Sequence, residues 1–320
     1  MPKLARRTLL ASPLLSLPAY AQGFPERSIR LIIPWPAGAS ADIFLRTVAD
    51  LAGKRLGQPV VPENRPGASA TLGAVLLKDA KPDGYTLAQI HSGVVRAQLM
   101  ADKPSYDALA DFTYIIQLAG SGFGIVVRAD APWQTLADLL AEAKRRPGVL
   151  NYGTPGVAST HNITMLDIQR RTGTELTHIP YNGAGPLYTA LMGGQVDVVA
   201  DASGWASLVK EGRFRLLAVW GGKRMPEFPA VPTLQESGID LVVESPYGIA
   251  GPRGMDPAVV AKLHDAFKEA VFDPAAQAII ARYGMLFLYG PSAGYEATTR
   301  AVYAEEQANL RRLGLLGSVK

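Results

Sequence analysis

Two glycine-containing turns are the segments of the sequence best suited to bind a ligand. Residues 34–42 (PWPAGASAD) and 152–160 (YGTPGVAST) each follow an apolar run and precede a helical pattern. A helix N-terminus offers free backbone N–H groups and the positive end of the helix dipole, so it holds a carboxylate without a cationic side chain. The two turns predict a two-part anion-binding site rather than a catalytic centre.

The first turn is built from small residues that let a ligand approach the backbone closely. Ala37, Gly38 and Ala39 leave the backbone accessible, and Ser40 adds a hydroxyl donor. Asp42 has two interpretations. The favoured one is a cap on the free N–H groups of the following helix, worth about 1 kcal/mol; the other is an acceptor that shapes the pocket.

The second turn supplies Gly156 and the hydroxyl residues Ser159 and Thr160, which are suitable donors to a carboxylate. His161 follows directly. A single histidine without a partner has little functional specificity, so packing at the helix start is favoured over ligand contact, and both remain open.

Further residues are candidates for the walls of the pocket. Asp201 ends an apolar strand, where it is either a pocket acceptor or the cap of the next helix, and Ser92 lies on a further rim. Trp35 and Tyr247 are placed to stack on a planar ligand or to pack in the core. Arg96 is expected to be an exposed helical residue rather than a ligand contact.

Catalytic and metal motifs do not occur in the sequence. It has no H-E-x-x-H, G-x-S-x-G or P-loop pattern and no cysteine, and its four histidines are scattered. Neither a cofactor nor a metal is expected. The alternative to a receptor is a secreted hydrolase whose Asp42, Asp201 and His161 converge in a cleft. A regulator's effector domain is disfavoured, because the chain begins with an export signal.

The N-terminus has the features of a secretory signal peptide. Lys3, Arg6 and Arg7 precede the apolar residues 9–18, and residues 19–21 (AYA) form a small-x-small cleavage site. Cleavage after Ala21 predicts a periplasmic protein, exported by the general secretory or the twin-arginine route.

The charge of the chain gives no support for a nucleic-acid partner. Removing residues 1–21 takes away three basic and no acidic residues, which leaves 29 basic against 28 acidic side chains in a mature chain of 299 residues. The basic character therefore comes mainly from the signal peptide. No later segment of the sequence has the pattern of a transmembrane helix.

The remaining pattern is α/β. Strand-like runs alternate with helical patterns, which predicts mostly parallel sheets flanked by helices, and after Asp256 the pattern is mainly helical. We expect two lobes, one of residues 22–124 plus 245–320 and one of residues 125–244, with a ligand cleft between them. The predicted strands are 29–33, 60–63, 85–90, 113–118, 125–127, 176–179, 196–199, 216–219 and 241–243.

Seven segments in register resemble one family, the tripartite tricarboxylate transporter receptors, or Bug proteins. The resemblance implies a type II periplasmic binding-protein fold, a small carboxylate ligand (a di- or tricarboxylate, an acidic amino acid or an aromatic acid), and delivery to membrane permease subunits by a monomer. Ala158 stands where this family more often has glycine. The segments are SIRLIIPWPAGASAD (28–42), VPENRPGA (61–68), PDGYTL (82–87), YGTPG (152–156), HIPYNG (178–183), GGQVD (193–197) and VPT (231–233).

Overall fold

The computed structural model describes residues 23–157 and 159–319, apart from the side chain of Ser69. The predicted signal peptide, the predicted mature N-terminus at Gln22 and Ala158 of the second turn lie outside the described residues.

Eleven strands and ten α-helices are present in the described residues. The strands are β1 (Ile29–Ile33), β2 (Val60–Asn64), β3 (Thr86–His91), β4 (Phe112–Ser121), β5 (Phe123–Arg128), β6 (Asn151–Thr154), β7 (Thr177–Pro180), β8 (Val198–Ala202), β9 (Phe214–Val219), β10 (Ser245–Pro252) and β11 (Leu286–Pro291). The helices are α1 (Ser40–Leu56), α2 (Leu72–Lys78), α3 (Ser92–Met100), α4 (Leu136–Arg145), α5 (Thr160–Thr172), α6 (Ala184–Met192), α7 (Ala206–Lys210), α8 (Pro257–Phe272), α9 (Pro274–Arg282) and α10 (Ser292–Leu313).

The strands form two sheets with helices packed against them. The first has the order β11-β4-β10-β3-β1-β2 and the second the order β7-β6-β8-β5-β9. Fully buried aromatic residues lie in both cores, Phe44 and Phe267 beside the first sheet and Tyr152 and Trp220 beside the second.

Both sheets are mixed, so the expectation of mostly parallel sheets is wrong. Four pairs are parallel, namely β1–β2, β1–β3, β6–β7 and β6–β8, and the other five are antiparallel. The path of the chain explains the antiparallel centre of the first sheet: the chain leaves through β4 and β5 and returns into β10, which runs against β4.

The chain changes sheets at Gly122, two residues before the expected boundary. A Cβ atom there would lie 2.5 Å from the carbonyl oxygen of Gly284, so a larger residue does not fit. The predicted strand at 241–243 does not form. The Val243 N–H donates to the carbonyl oxygen of Trp220 (2.8 Å), the Leu241 N–H donates locally to that of Ile239 (2.7 Å), and β10 begins at Ser245. The assignment of the lobes stays a prediction.

Within the part of the chain that the structure describes, no helix combines the length and the apolar character needed to cross a membrane.

Candidate functional site

The first turn presents unpaired backbone donors. Helix α1 begins after Ala39, which has no side-chain acceptor to cap it. Among the described residues, no acceptor receives the N–H groups of Ser40, Ala41 or Asp42. Side chains cap α3, α4, α5, α8 and α9, whereas α2, α6, α7 and α10 also begin without a side-chain cap. Three donors therefore point out of the start of a 17-residue helix, which is the arrangement that binds anions.

Asp42 fixes the shape of this turn. Its Oδ2 accepts the N–H of Gly38 (2.8 Å), and its Oδ1 accepts from Asn64 (2.7 Å) and Arg46 (2.9 Å). Gly38 has φ +84°, a conformation that favours glycine. Asp42 reaches back to the turn instead of covering the open N–H groups, so the favoured capping interpretation is wrong. Asn64, which also donates to the Trp35 carbonyl oxygen (3.0 Å), is a structural residue that the sequence analysis missed.

The pKa of Asp42 is consistent with an ionised carboxylate. Burial alone would raise this pKa, but the hydrogen bonds from Asn64, Gly38 and Arg46 and the charge of Arg46 outweigh burial and hold it below its ordinary value. The carboxylate is 2% exposed, so it acts as a brace beneath the turn.

Polar and aromatic side chains line the first sheet near the end of β3. The Trp35 Nε1–H donates to Gln89 Oε1 (2.7 Å), and the Trp35 ring lies 5.0 Å from the His91 ring. Tyr247 of β10 is the register partner of His91. The structure thus brings Trp35 and Tyr247 to one region. Gln89 Nε2 and the Tyr247 hydroxyl are buried and have no hydrogen-bond partner among the described residues.

Ser92, the first residue of α3, is buried, and its Oγ lies 2.6 Å from Ser245 Oγ. The pair links the start of α3 to the start of β10, where the chain returns to the first sheet. Its direct contact with a ligand stays a prediction.

The second turn is held by its own hydrogen bonds. The Ser159 hydroxyl accepts the Asn162 N–H (3.2 Å) and donates to the Gly156 carbonyl oxygen (2.6 Å), so it caps α5. Asn162 donates to the Val157 carbonyl oxygen (2.7 Å) and accepts from the Tyr152 hydroxyl (2.7 Å). Because Ser159 is engaged in both directions, the structure gives it a local role, and its predicted ligand contact remains untested.

Arg96 is buried, so the expectation of an exposed residue is wrong. Its Nη1–H donates to Thr160 Oγ1 (2.5 Å), and its Nε–H and Nη2–H donate to the two carboxylate oxygens of Glu306. Only 5% of Arg96 is exposed. Helix α10, more than 190 residues away in sequence, packs on α3 and covers it.

Asp201 lies inside β8 and is buried. The Tyr188 hydroxyl donates to its Oδ2 (2.7 Å), and His161 Nε2 lies 3.3 Å from its Oδ1 without the alignment of a hydrogen bond. The short 3₁₀ helix Ser203–Trp205 and α7 follow Asp201, and neither receives a side-chain cap, so the capping interpretation of Asp201 is wrong. The His161 ring packs against Phe123 (5.1 Å), as expected for packing at the helix start.

Comparison with known proteins decides which family this arrangement represents. The family model described as tripartite tricarboxylate transporter family receptor matches residues 44–315. The chain belongs to this family. A relative from Cupriavidus necator, described as UPF0065 protein in gbd 5'region, is 45% identical over 304 residues, which cover 94% of this chain and 93% of that protein.

Solved structures confirm the periplasmic binding-protein fold of the receptor. The periplasmic binding protein BugD superposes with a TM-score of 0.82 at 26% identity, covering 92% of this chain and 99% of that chain. MatC from Rhodopseudomonas palustris, with bound malate, superposes with a TM-score of 0.79 at 27% identity, covering 90% and 100%. The receptor is therefore a solute-binding protein of a transport family, related to periplasmic proteins.

A cavity of about 260 Å³ lies in the receptor between α3, α5, α10 and residues 241–244. Of the predicted site residues only Ser92 lines it. Arg96 and Glu306 also lie in its wall, so this ion pair separates the cavity from Thr160.

The hydrolase alternative gains little from the geometry. Asp42 contacts neither His161 nor Asp201 in the described hydrogen bonds and ion pairs, because Gly38, Asn64 and Arg46 surround its carboxylate. Over residues 23–157 and 159–319, no group of three or more His, Cys, Asp or Glu side chains is placed to hold a metal ion.

Two buried histidines make the receptor's stability depend on pH. Burial lowers the pKa of His91 to about 4, with an opposing effect of the Ala70 carbonyl and a further lowering by the charge of Arg96. Burial and then Arg96 lower the pKa of His161 to about 3. Burial raises the pKa of Asp201 to about 6, although hydrogen bonds from Tyr188 and the Ala202 backbone oppose this.

We expect the free energy of unfolding to fall as the pH is lowered from about 6.5 to 4. In this range the unfolded histidines take up protons that the folded ones do not, at about 1.4 kcal/mol per pH unit for each histidine. Asp201 has the opposite effect on the free energy of unfolding. As the pH falls, its carboxylate takes up a proton in the folded state before it does so in the unfolded state. Burial also lowers the pKa of His178, so histidines outnumber the one opposing carboxyl and the free energy of unfolding falls overall between about pH 6 and 4.

Urea unfolding at pH 7.5, 6 and 5 measures this dependence. His91→Asn is the matched variant, because the asparagine side chain can still accept the Gly93 N–H that His91 Nδ1 accepts (3.1 Å). We expect its pH dependence to be flatter than that of the wild type. If both proteins lost the same free energy of unfolding between pH 7.5 and 5, His91 would not be a cause of the pH dependence.

Proposed function

We propose that the receptor captures a small carboxylate in the periplasm and delivers it to the membrane subunits of a tripartite tricarboxylate-type transporter. The observation that carries this proposal is the start of α1, where three N–H groups have no acceptor among the described residues. A carboxylate there gains hydrogen bonds and the favourable end of the helix dipole.

The braces around both turns support preformed capture. Asp42 and Asn64 hold the first turn, and Ser159 and Asn162 hold the second. Donors that are already in place do not have to be ordered on binding, which lowers the entropic cost of binding. The proposed ligand pocket includes the turn residues Ala37, Gly38, Ala39, Ser40 and Gly156. Its proposed walls are the side chains of Trp35, Ser92, Thr160, His161, Asp201 and Tyr247.

Malate in the MatC structure supports a hydroxy-dicarboxylate as the first ligand to try. We propose that one of its carboxylates binds the open N–H groups at the start of α1 and that the other lies near the second turn. Closure of the lobes on the ligand would give the permease a surface that differs from the empty state. We propose a monomer, exported with cleavage after Ala21 by either route, which intact-mass measurement of the periplasmic protein checks.

A thermal-shift screen of the mature protein tests the proposal. The panel is citrate, malate, glutamate and benzoate, with the neutral diamide of malic acid as the matched control. A ligand at a hundredfold excess over its Kd adds about 2.7 kcal/mol to the free energy of unfolding. We therefore expect at least one acid to raise Tm by several degrees and the diamide to leave it unchanged.

The same samples separate a receptor from an enzyme. Mass analysis of the solution after incubation should recover the acid intact, since a receptor binds without turnover. Consumption of the acid would support the secreted hydrolase, and the absence of any Tm shift across the panel would contradict carboxylate capture.

A further inference from the structure

At the second turn, Arg96 connects a helix that follows a strand of the first sheet to a helix that follows a strand of the second sheet. It lies on α3, which follows β3 of the first sheet, and its Nη1–H reaches Thr160, the first residue of α5, which follows β6 of the second sheet. Glu306 of α10 holds the other side of the guanidinium with both carboxylate oxygens. Such a two-point contact fixes the plane of the guanidinium.

This contact leaves the Thr160 hydroxyl with a defined direction. Its oxygen accepts from Arg96 at 2.5 Å, so its hydrogen must point elsewhere. No acceptor for that hydrogen lies in the described residues, a range that omits Ala158. Accepting from a cation also strengthens a hydroxyl as a donor, because neighbouring hydrogen bonds polarise one another.

Glu306 cancels the charge of Arg96. The pair is almost entirely buried, with side-chain exposures of 6% and 12%, so solvent screens it little. The adjacent Glu305 has a raised pKa, from burial and from the charge of Glu306. Further along α5, Asp167 accepts from Arg312 of α10 (3.0 Å), so α10 is anchored to α5 at a second point.

We propose that Arg96 is a positioning residue for the ligand. It aims the Thr160 hydroxyl at a bound carboxylate, and Glu306 removes its net charge, so that the site recognises a carboxylate by hydrogen bonds rather than by a free cation. This inference rests on the proposed function. It predicts that Arg96 and Thr160 act on affinity through one interaction, and that Glu306 sets the preference between mono- and dicarboxylates.

A double-mutant cycle tests the first part. Arg96→Met, Thr160→Val and the double variant are titrated with malate by calorimetry, or with the panel acid of largest Tm shift if malate is silent, and their urea unfolding is measured in parallel. We expect each single substitution to lower the affinity for the acid about tenfold. The double variant should bind the acid as tightly as the single variant with the lower affinity. Thr160→Ser keeps the hydroxyl, so this variant should bind the acid with near wild-type affinity.

The stability measurements separate positioning from a general structural role. Arg96→Met leaves Glu306 buried without its partner and should destabilise the fold, whereas Thr160→Val should not. Both should nevertheless lose affinity together. Independent, multiplying losses in affinity would overturn the inference and leave the proposed function intact.

Glu306→Gln tests the second part, with malate and lactate as a matched pair that differs by one carboxylate. Freeing the charge of Arg96 should raise the malate-to-lactate affinity ratio at least about threefold and make malate binding more sensitive to salt. An unchanged ratio would overturn the charge-cancelling role. If the wild type binds no acid of the panel, the proposed function fails and this inference fails with it.

Discussion

Replacing Ala39 by valine is expected to weaken carboxylate binding at least about tenfold and to leave the stability of the receptor nearly unchanged. Ala39 has φ −63° and ψ 153°, an extended conformation that valine adopts readily. The two added methyl groups would occupy space beside the open N–H groups of Ser40 and Ala41, where the ligand must come close to the backbone. No charge is lost, so a drop in affinity would reflect obstruction alone.

Ala275→Val is the matched control for this variant. Ala275 is also small and lies in the first turn of a helix, but Asp273 already caps its N–H (2.8 Å). Titration calorimetry on both variants, with urea unfolding, gives affinity and stability together. Wild-type affinity in Ala39→Val would show that the ligand does not approach α1 at this point.

Removing the carboxylate of Asp42 is expected to destabilise the protein by about 2 kcal/mol, because several donors lose a shared charged acceptor. Asp42→Ala would leave the Gly38 N–H, Arg46 and Asn64 without the buried carboxylate that they share beneath the exposed turn. Because the folded pKa of Asp42 is lowered, its contribution is present at neutral pH. It should disappear as the pH falls below about 3.8 and through the folded pKa.

Asp138→Ala provides the comparison, because Asp138 is the third residue of α4 as Asp42 is of α1, and it also accepts backbone N–H groups before the helix. Its surroundings are exposed, so we expect a clearly smaller loss of stability than for Asp42→Ala. Urea unfolding at pH 7 measures both. Similar small losses would mean that Asp42 is an ordinary helix-start residue and not the brace of the first turn.

The two turns and the α/β class were predictable because their signals are local. Small residues after an apolar run, followed by a helical pattern, indicate a helix N-terminus near a strand end, and α1 and α5 begin there. The side chains that hold the turns in place are harder to predict from the sequence. Asn64 lies 22 residues from Asp42 in sequence, and its sequence context indicates a strand end rather than a hydrogen-bond partner.

Long-range packing explains the remaining errors. Arg96 has an exposed pattern on α3, and only the return of α10 buries it against Glu306. The return of the chain into β10 likewise makes the first sheet mixed, which alternation of strands and helices does not reveal. The residue type of Ser159 predicts a ligand donor, yet the same hydroxyl chemistry also caps α5.

Amide NMR of the labelled mature receptor tests most directly whether the unpaired N–H groups at the start of α1 hold a carboxylate. On saturation with the panel acid that binds, the amide proton signals of Ser40, Ala41 and Asp42 should move downfield, since each gains a charged acceptor. Ala258, whose N–H is already capped by Asp256, should stay in place. A ligand that binds and leaves the three α1 signals unshifted would contradict carboxylate binding by these N–H groups.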